Sequence, residues 1–208
     1  MIRREAAAPA LALGAFLLTT LAGPAMAQQQ TGQPAGNFRL MDASGKPVAL
    51  SDFRGRTVVL EWNNPGCPYV KKHYDSGNMQ RAQAAAKQQG AVWLTINSGA
   101  PGKQGHMTGP EARAFLASAK AQPTAYLLDP EGRVGKGYAA KTTPHMYVID
   151  GRGVLRYQGG IDDKPTADQA DIAGARNHVL AALAELKAGK PVSVPETRPY
   201  GCSVKYAR

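Results

Sequence analysis

A cysteine on the turn between a strand and a helix constrains the fold more than any other feature of this sequence. Residues 57–62 read TVVLEW, an apolar run rich in β-branched side chains that predicts a buried strand. Pro68 suits the first turn of a helix, so Cys67 falls near the helix N-cap. The free backbone N–H groups and the dipole at that helix end favour a thiolate over a thiol. The pattern predicts a reactive cysteine, and the alternative is a small cysteine that fills the core.

The rest of the chain alternates between strand and helix patterns. A short hairpin is expected over residues 38–50 and a long glycine-containing loop over residues 98–109. The elements predicted after the cysteine are a helix reaching residue 89, strand 91–96, helix 111–120, strand 125–128, a hairpin of strands 146–149 and 154–157, and helix 167–188. This order predicts an α/β fold in which helices pack on a mixed sheet.

The first 27 residues follow the pattern of a cleavable export signal. Arg3 and Arg4 precede an apolar stretch, and Ala25-Met26-Ala27 is typical of a cleavage site. Because Gly23-Pro24 interrupts the apolar stretch, no membrane span is expected after processing. We predict a periplasmic or secreted protein, in a compartment where disulfides persist.

The mature chain is expected to form one domain. Residues 28–37 lack charge and predict a flexible lead-in, residues 38–189 the folded domain, and residues 190–208 an extended tail that carries Cys202. Removing residues 1–27, which hold two arginines and one glutamate, lowers the formal charge from +10 to +9. Basic residues do not cluster with aromatic ones, so nucleic acid is not an expected partner. The two cysteines permit one internal disulfide.

These elements together resemble the thioredoxin fold. The resemblance rests on a strand ending at Trp62, a thiol at the start of the next helix, a Thr143-Pro144 pair before strand 145–150, and a terminal hairpin with a closing helix. The first hairpin and the loop over residues 98–109 further resemble the redoxin branch, the alkyl hydroperoxide reductase and thiol-specific antioxidant proteins. The resemblance implies a central mixed β-sheet flanked by helices, with an N-terminal hairpin extension and a C-terminal tail.

The resemblance also implies roles for individual residues. Cys67 matches the attacking cysteine of thioredoxin's C-x-x-C motif, and Val70 stands in the place of the second cysteine. Pro144 matches the cis-proline beside the active cysteine, and Thr143 the residue whose backbone is offered to an extended substrate. Cys202 lies outside the resemblance. It is the only other cysteine in the chain and lies on a tail that could fold back over the site, so it is the candidate that resolves an oxidised Cys67; the alternative is a static bridge or none.

The peroxiredoxin branch implies three further residues around the attacking cysteine. They are a proline seven positions before it, a threonine three positions before it, and an arginine that steadies the thiolate and the peroxide. In this sequence these positions hold Leu60, Asn64 and Pro144. The chain therefore resembles a peroxiredoxin-like protein with a thioredoxin-like site.

Four residues near the cysteine are candidates for substrate binding. Trp62 and Tyr69 flank Cys67 in sequence and suit either a groove or the core. Asn64 is a candidate to form the turn, to cap the helix or to hydrogen-bond the thiolate. His145, beside the cis-proline position, is a candidate base or hydrogen-bond donor for the thiol, and the alternative is a strand residue that points away.

The resemblance implies an enzyme, a thiol-dependent oxidoreductase with antioxidant or thiol-disulfide exchange activity and no cofactor. Its thiolate attacks a disulfide to give a mixed disulfide, or a peroxide to give a sulfenic acid. The expected partners are a thiol or dithiol reductant of the cell envelope, a protein disulfide, and a peroxide. The alternatives are a non-catalytic peptide-binding module and copper handling. A copper site would draw on Cys67, Cys202, His73, His106 and His145.

Overall fold

The computed structural model describes Met1 and residues 29–207. The export signal predicted over residues 1–27 lies outside the described residues, apart from Met1. In the described part of the chain, no helix is long and apolar enough to cross a membrane.

A seven-stranded mixed sheet forms the middle layer of the domain. The strands, in chain order, are β1 (Arg39–Asp42), β2 (Pro47–Ala49), β3 (Val58–Trp62), β4 (Val92–Asn97), β5 (Ala125–Leu128), β6 (Thr142–Thr143), β7 (His145–Ile149), β8 (Leu155–Gly159) and β9 (Cys202–Ser203). The order across the sheet is β2-β1-β5-β4-β3-β7-β8, while β6 and β9 form a separate pair. β3, β4 and β5 run parallel, whereas β7 is antiparallel to β3, so the predicted mixed sheet is confirmed.

Helices cover both faces of this sheet. They are α1 (Pro68–Asp75), α2 (Asn78–Gln88), α3 (Gly109–Ser118), α4 (Arg133–Gly137) and α5 (His178–Lys187). Side chains of β3 alternate between the faces: Val59 packs in the cluster that includes residues of α1, α2 and α5, and Leu60 in the cluster that includes residues of α4. The central strands β3, β4 and β7 are buried along their whole length.

Two predicted helices are shorter than expected. The helix predicted from Cys67 to residue 89 is broken at Gly77, whose φ of 73° a helix interior does not adopt. The helix predicted over residues 167–188 starts only at His178, because Asn177 caps it, and a 3-10 helix precedes it. α4 has no predicted counterpart, since two of its five residues are glycine.

Residues 32–35, within the lead-in predicted over residues 28–37, pair with the β7–β8 hairpin. The N–H of Gly32 donates to the carbonyl of Leu155 at 2.7 Å, and that of Ala35 to the carbonyl of Gly153 at 2.9 Å. The structure therefore shows backbone pairing in residues 32–35, where the composition predicts a flexible segment. Its polar composition carries no sign of backbone pairing, which any residue except proline can provide.

Candidate active site

The structure places Cys67 at the N-cap of α1, where Pro68 occupies the first turn. The backbone carbonyl of Cys67 accepts hydrogen bonds from the N–H groups of Val70 and Lys71 at 3.0 and 2.9 Å. The cysteine is fully buried. Its thiol thus lies at the positive end of the helix dipole, which favours the thiolate.

Cys202 meets Cys67 at this end of the helix. The tail crosses the domain as β9, which pairs antiparallel with β6 so that Cys202 lies opposite Thr143. The Sγ atoms of the two cysteines are 2.7 Å apart, and the Cys67 thiol donates to the carbonyl oxygen of Thr143 at 3.0 Å. Both cysteines are free thiols. The pairing thus brings together two thiols that lie 135 positions apart in the sequence.

The loop beside the two thiols has the form that the resemblance implies, because the peptide bond between Thr143 and Pro144 is cis. The backbone of Thr143 is expected to hold an extended substrate, and here it pairs with Cys202 of the tail. Gly201 permits this close approach: its φ is 134°, and a Cβ at this residue would lie 2.1 Å from the carbonyl oxygen of Thr143. The tail therefore occupies the place expected for a substrate.

Replacing Gly201 with alanine should lift the tail from β6. The added Cβ overlaps the carbonyl oxygen of Thr143, and alanine rarely adopts a φ of 134°. We expect alkylation of Cys67 by iodoacetamide, followed by peptide mass spectrometry, to speed up ~10-fold, which matches a loss of ~1.4 kcal/mol in docking free energy. The matched control is Gly174→Ala, because a Cβ there meets no atom within 4 Å. Equal alkylation rates in the two variants would contradict this account of the tail.

The two thiols differ in acidity. Burial opposes ionisation of Cys67, but hydrogen bonds from the Cys202 thiol and from backbone groups outweigh it and hold the pKa of Cys67 below the ordinary thiol value. Burial, the hydrogen bond to Cys67 and the charge of Cys67 raise the pKa of Cys202 to about 11. In the reduced protein, Cys67 is therefore the thiol that ionises first.

Two of the candidate substrate-binding residues lie on the face of the sheet away from Cys67. Trp62 is fully buried, and its indole N–H donates to the hydroxyl of Ser98 at 3.0 Å. His145 lies directly opposite Trp62 in the strand register, and its ring is 4.6 Å from that of Tyr147. Burial lowers the pKa of His145 to about 3. For both residues the structure therefore favours the stated alternative, a core side chain for Trp62 and a strand residue that points away for His145, because side chains alternate along β3 and β7.

The other two candidates flank Cys67, one in the turn before it and one in α1. The Asn64 carboxamide accepts a hydrogen bond from the N–H of Gly66 at 2.9 Å and donates to the side chain of Gln104 at 3.0 Å. Asn64 thus forms the turn before Cys67, which was one of its three predicted roles. Tyr69 packs edge-on against Tyr200 of the tail, with ring centroids 6.0 Å apart. A role of Asn64 or Tyr69 in binding substrate stays a prediction.

A buried carboxylate on the Cys67 side of the sheet was missed by the sequence analysis. Glu61 is fully buried, and burial raises its pKa. Four side-chain donors surround its two oxygens at 2.8–3.1 Å: Asn63, Tyr74, Trp93 and Thr95. An ionisable residue inside the apolar run TVVLEW was the available signal, since such a residue is rarely buried without partners.

The residues considered for copper do not form one site. Within residues 29–207, no group of three or more His, Cys, Asp or Glu side chains is arranged to hold a metal ion. His106 bonds to the carbonyl of Gly99 at 2.8 Å, and His73 contacts Tyr200 of the tail. The geometry therefore offers a thiol pair and lends the copper alternative no support.

A sequence model of the AhpC/TSA family matches residues 31–158. This range contains Cys67 and Pro144 and ends before Cys202. No curated protein sequence matches the chain.

Solved structures share the architecture of the domain. An uncharacterised conserved protein from Geobacillus kaustophilus is 24% identical, with a TM-score of 0.73, and the match covers 87% of this chain and 94% of that one. The hypothetical protein SMc02350 from Sinorhizobium meliloti 1021 is 24% identical, with a TM-score of 0.71 and coverage of 86% and 95%. A putative thiol:disulfide interchange protein, DsbE, from Chlorobium tepidum is 27% identical, with a TM-score of 0.52 and coverage of 63% and 85%. These likenesses confirm the thioredoxin-like fold.

Proposed function

The chain belongs to the AhpC/TSA family and has a thioredoxin-like fold, and from this and its paired thiols we propose that it is a two-cysteine thiol oxidoreductase. Cys67 is the attacking nucleophile, and Cys202 resolves the covalent intermediate. The observation that carries the proposal is the 2.7 Å separation of the two Sγ atoms at the N-terminus of α1. A core cysteine needs no second thiol at this distance.

Reduction of a disulfide follows from this arrangement in two exchanges. The Cys67 thiolate attacks one sulfur of the substrate disulfide, the substrate S–S bond breaks, and the first substrate thiolate leaves. Cys202 then loses its proton and attacks the Cys67 sulfur of the mixed disulfide, which releases the second substrate thiolate. Two electrons pass from the cysteines to the substrate, and the two thiol protons go to the released thiolates. Cys67 and Cys202 end as an internal disulfide.

A peroxide is the second substrate class. The Cys67 thiolate attacks one peroxide oxygen, the O–O bond breaks, and an alcohol or water leaves after taking up a proton. Cys202 then displaces water from the sulfenic acid to give the same internal disulfide. Asn64 stands at the threonine position of peroxiredoxins, and its side chain bonds to Gly66 and Gln104. We therefore propose that disulfides react faster than peroxides.

The internal disulfide has to be reduced before another turnover. A dithiol partner attacks it, takes over the bond and returns both cysteines to thiols. If residues 1–27 direct export, as their pattern predicts, this partner is a dithiol protein of the periplasm or the exterior. The similarity to a putative thiol:disulfide interchange protein from Chlorobium tepidum supports such a partner.

The tail controls access to the nucleophile in this proposal. Cys67 is fully buried beneath the tail, and the backbone of Thr143 is paired with Cys202. A disulfide substrate therefore reaches Cys67 when β9 separates from β6. The return of the tail then delivers Cys202 to the mixed disulfide.

The proposal is tested by counting the glutathione that one chain releases. Reduced protein is mixed with oxidised glutathione, and the free glutathione is quantified together with the intact protein mass. Wild type should release two glutathione molecules per chain and carry none, because Cys202 displaces the second one. Cys202→Ser should release one and retain one on Cys67. The same stoichiometry in both proteins would contradict the resolving role of Cys202. No reaction of the wild type would contradict the whole proposal and favour a non-catalytic binding module.

A further inference from the structure

A tyrosine of the tail, two residues before Cys202, is docked into a polar seat on the domain. The phenol of Tyr200 donates a hydrogen bond to the carboxylate of Asp162, and Nε2 of His73 lies 3.3 Å from the same phenol oxygen. His73 is fully buried and Asp162 is 4% exposed. We call His73 and Asp162 the Tyr200 seat.

The seat is held in place by residues outside the tail. The Asn78 carboxamide donates to Nδ1 of His73 at 2.8 Å, and the N–H of Lys164 donates to the Asp162 carboxylate at 3.0 Å. Because Nδ1 of His73 accepts from Asn78, a neutral His73 carries its proton on Nε2 and donates to Tyr200. A chain of hydrogen bonds thus runs from Asn78 through His73 and Tyr200 to Asp162.

The aromatic ring of Tyr200 also makes close contacts with the domain. Its edge meets Tyr69, with centroids 6.0 Å apart, and the ammonium of Lys72 lies 5.9 Å from the ring centroid. A Cβ on Gly160 would lie 3.1 Å from the ring, so the ring rests directly against glycine backbone. Tyr69 and Lys72 both belong to α1.

These contacts fix the tail that carries Cys202 to the helix that carries Cys67. Cys67 is the N-cap of α1, and His73 lies on the same helix six residues later. Tyr200 therefore fixes the tail to the helix that carries the nucleophile. On the other side of Cys202, the pairing of β9 with β6 fixes the tail to the cis-proline loop.

We propose that Tyr200 is the positioning residue of Cys202, and that its docking on His73 and Asp162 brings the Cys202 thiol to the mixed disulfide on Cys67. This inference rests on the proposed function. In this inference, Tyr200 acts on the reaction through the place it gives to Cys202. Without the docked ring, Cys202 samples a larger volume on a tethered tail, and its effective concentration at Cys67 falls.

The test separates the two exchange steps in time. Reduced protein is mixed with oxidised glutathione, quenched with acid at intervals and analysed by intact mass, which resolves the glutathione adduct of Cys67 from the internal disulfide. In Tyr200→Ala we expect the adduct to accumulate, because its conversion into the internal disulfide slows ~10-fold or more. Formation of the adduct should be as fast as in wild type or faster, since the tail covers Cys67 less.

Two further variants distinguish positioning from general damage. Tyr200→Phe keeps the ring contacts and loses the hydrogen bonds, so its conversion step should slow ~3-fold to 10-fold, between wild type and Tyr200→Ala. Arg198→Ala removes an exposed tail side chain and should leave both steps unchanged. The free energy of unfolding in urea is measured for each variant, and if Tyr200→Ala fails to fold, Tyr200→Phe decides.

The outcomes separate the inference from the proposed function. If wild type forms no internal disulfide, the proposed function fails. If wild type forms it and both Tyr200 variants convert the adduct at the wild-type rate, Cys202 needs no positioning by Tyr200 and the inference fails alone. A slowed conversion, with a first step that is as fast as in wild type or faster, supports it.

Discussion

Cys67→Ser should abolish the reaction with oxidised glutathione, with a loss of ~10³-fold or more in the second-order rate constant. Removal of an enzyme's nucleophile commonly has effects of this size or larger. A serine hydroxyl does not ionise at neutral pH, and its oxygen cannot take part in thiol-disulfide exchange. The rate of glutathione release measures the effect directly.

Cys202 is not expected to replace Cys67 in this variant. Cys202 lies outside the helix N-terminus that favours the Cys67 thiolate, and its partial burial raises the pKa of its thiol. The matched control is Cys202→Ser, which retains the attacking thiol and should form the first adduct at a rate close to that of wild type. If Cys67→Ser reacts at the wild-type rate, then Cys202 is the nucleophile and the assigned order of the two thiols is reversed.

Glu61→Ala should lower the free energy of unfolding by ~4 kcal/mol. The substitution removes the acceptor of four buried donors, and each unsatisfied buried donor costs ~1–3 kcal/mol. The loss is partly offset, because burial disfavours the charged carboxylate and raises its pKa. Urea unfolding followed by circular dichroism gives the free energy at pH 7.

The matched control for this prediction is Glu131→Ala. The side chain of Glu131 is 64% exposed and pairs with Arg133, whose side chain is 80% exposed, so the loss should be within ~0.5 kcal/mol. A Glu61→Ala variant as stable as Glu131→Ala would mean that water or a rearranged core satisfies the four donors. The role of Glu61 as the acceptor at the centre of that network would then be wrong.

Features that depend on neighbouring residues could be predicted from the sequence. The strand, the turn and Pro68 fix Cys67 at a helix N-cap by local geometry alone, and the hairpins follow from turn residues between apolar runs. The break at Gly77 is also local. It was missed because a single glycine is tolerated within a helix pattern and only its φ identifies the end of α1.

Features that depend on strand register could not be predicted from neighbouring residues in the sequence. Trp62 and His145 are close to the thiols in sequence, yet the alternation along β3 and β7 turns both to the other face. Which face α1 covers is decided by the crossover between β3 and β4, and residue types do not reveal it. Proximity in sequence was therefore a poor guide to the lining of the site.

One feature of the tail could be predicted from the sequence, and two could not. Cys202 could be proposed as a partner of Cys67 because it is the only other cysteine in the chain. Its position opposite Thr143, and the seat that receives Tyr200, depend on pairings between residues far apart in the sequence. A pattern such as RPYGCS does not indicate which surface it meets, because its contacts are all long-range.

The most direct test of the account is to map the disulfides of the oxidised chain. The processed protein is treated with oxidised glutathione, its free thiols are blocked with an alkylating agent, and it is digested without reduction and analysed by mass spectrometry. A second sample is reduced with dithiothreitol after the oxidation and before the alkylation. The account predicts a peptide pair joining Cys67 to Cys202 of one chain, which disappears after reduction. A stable adduct on Cys67 with Cys202 free, or a disulfide between two chains, would contradict it.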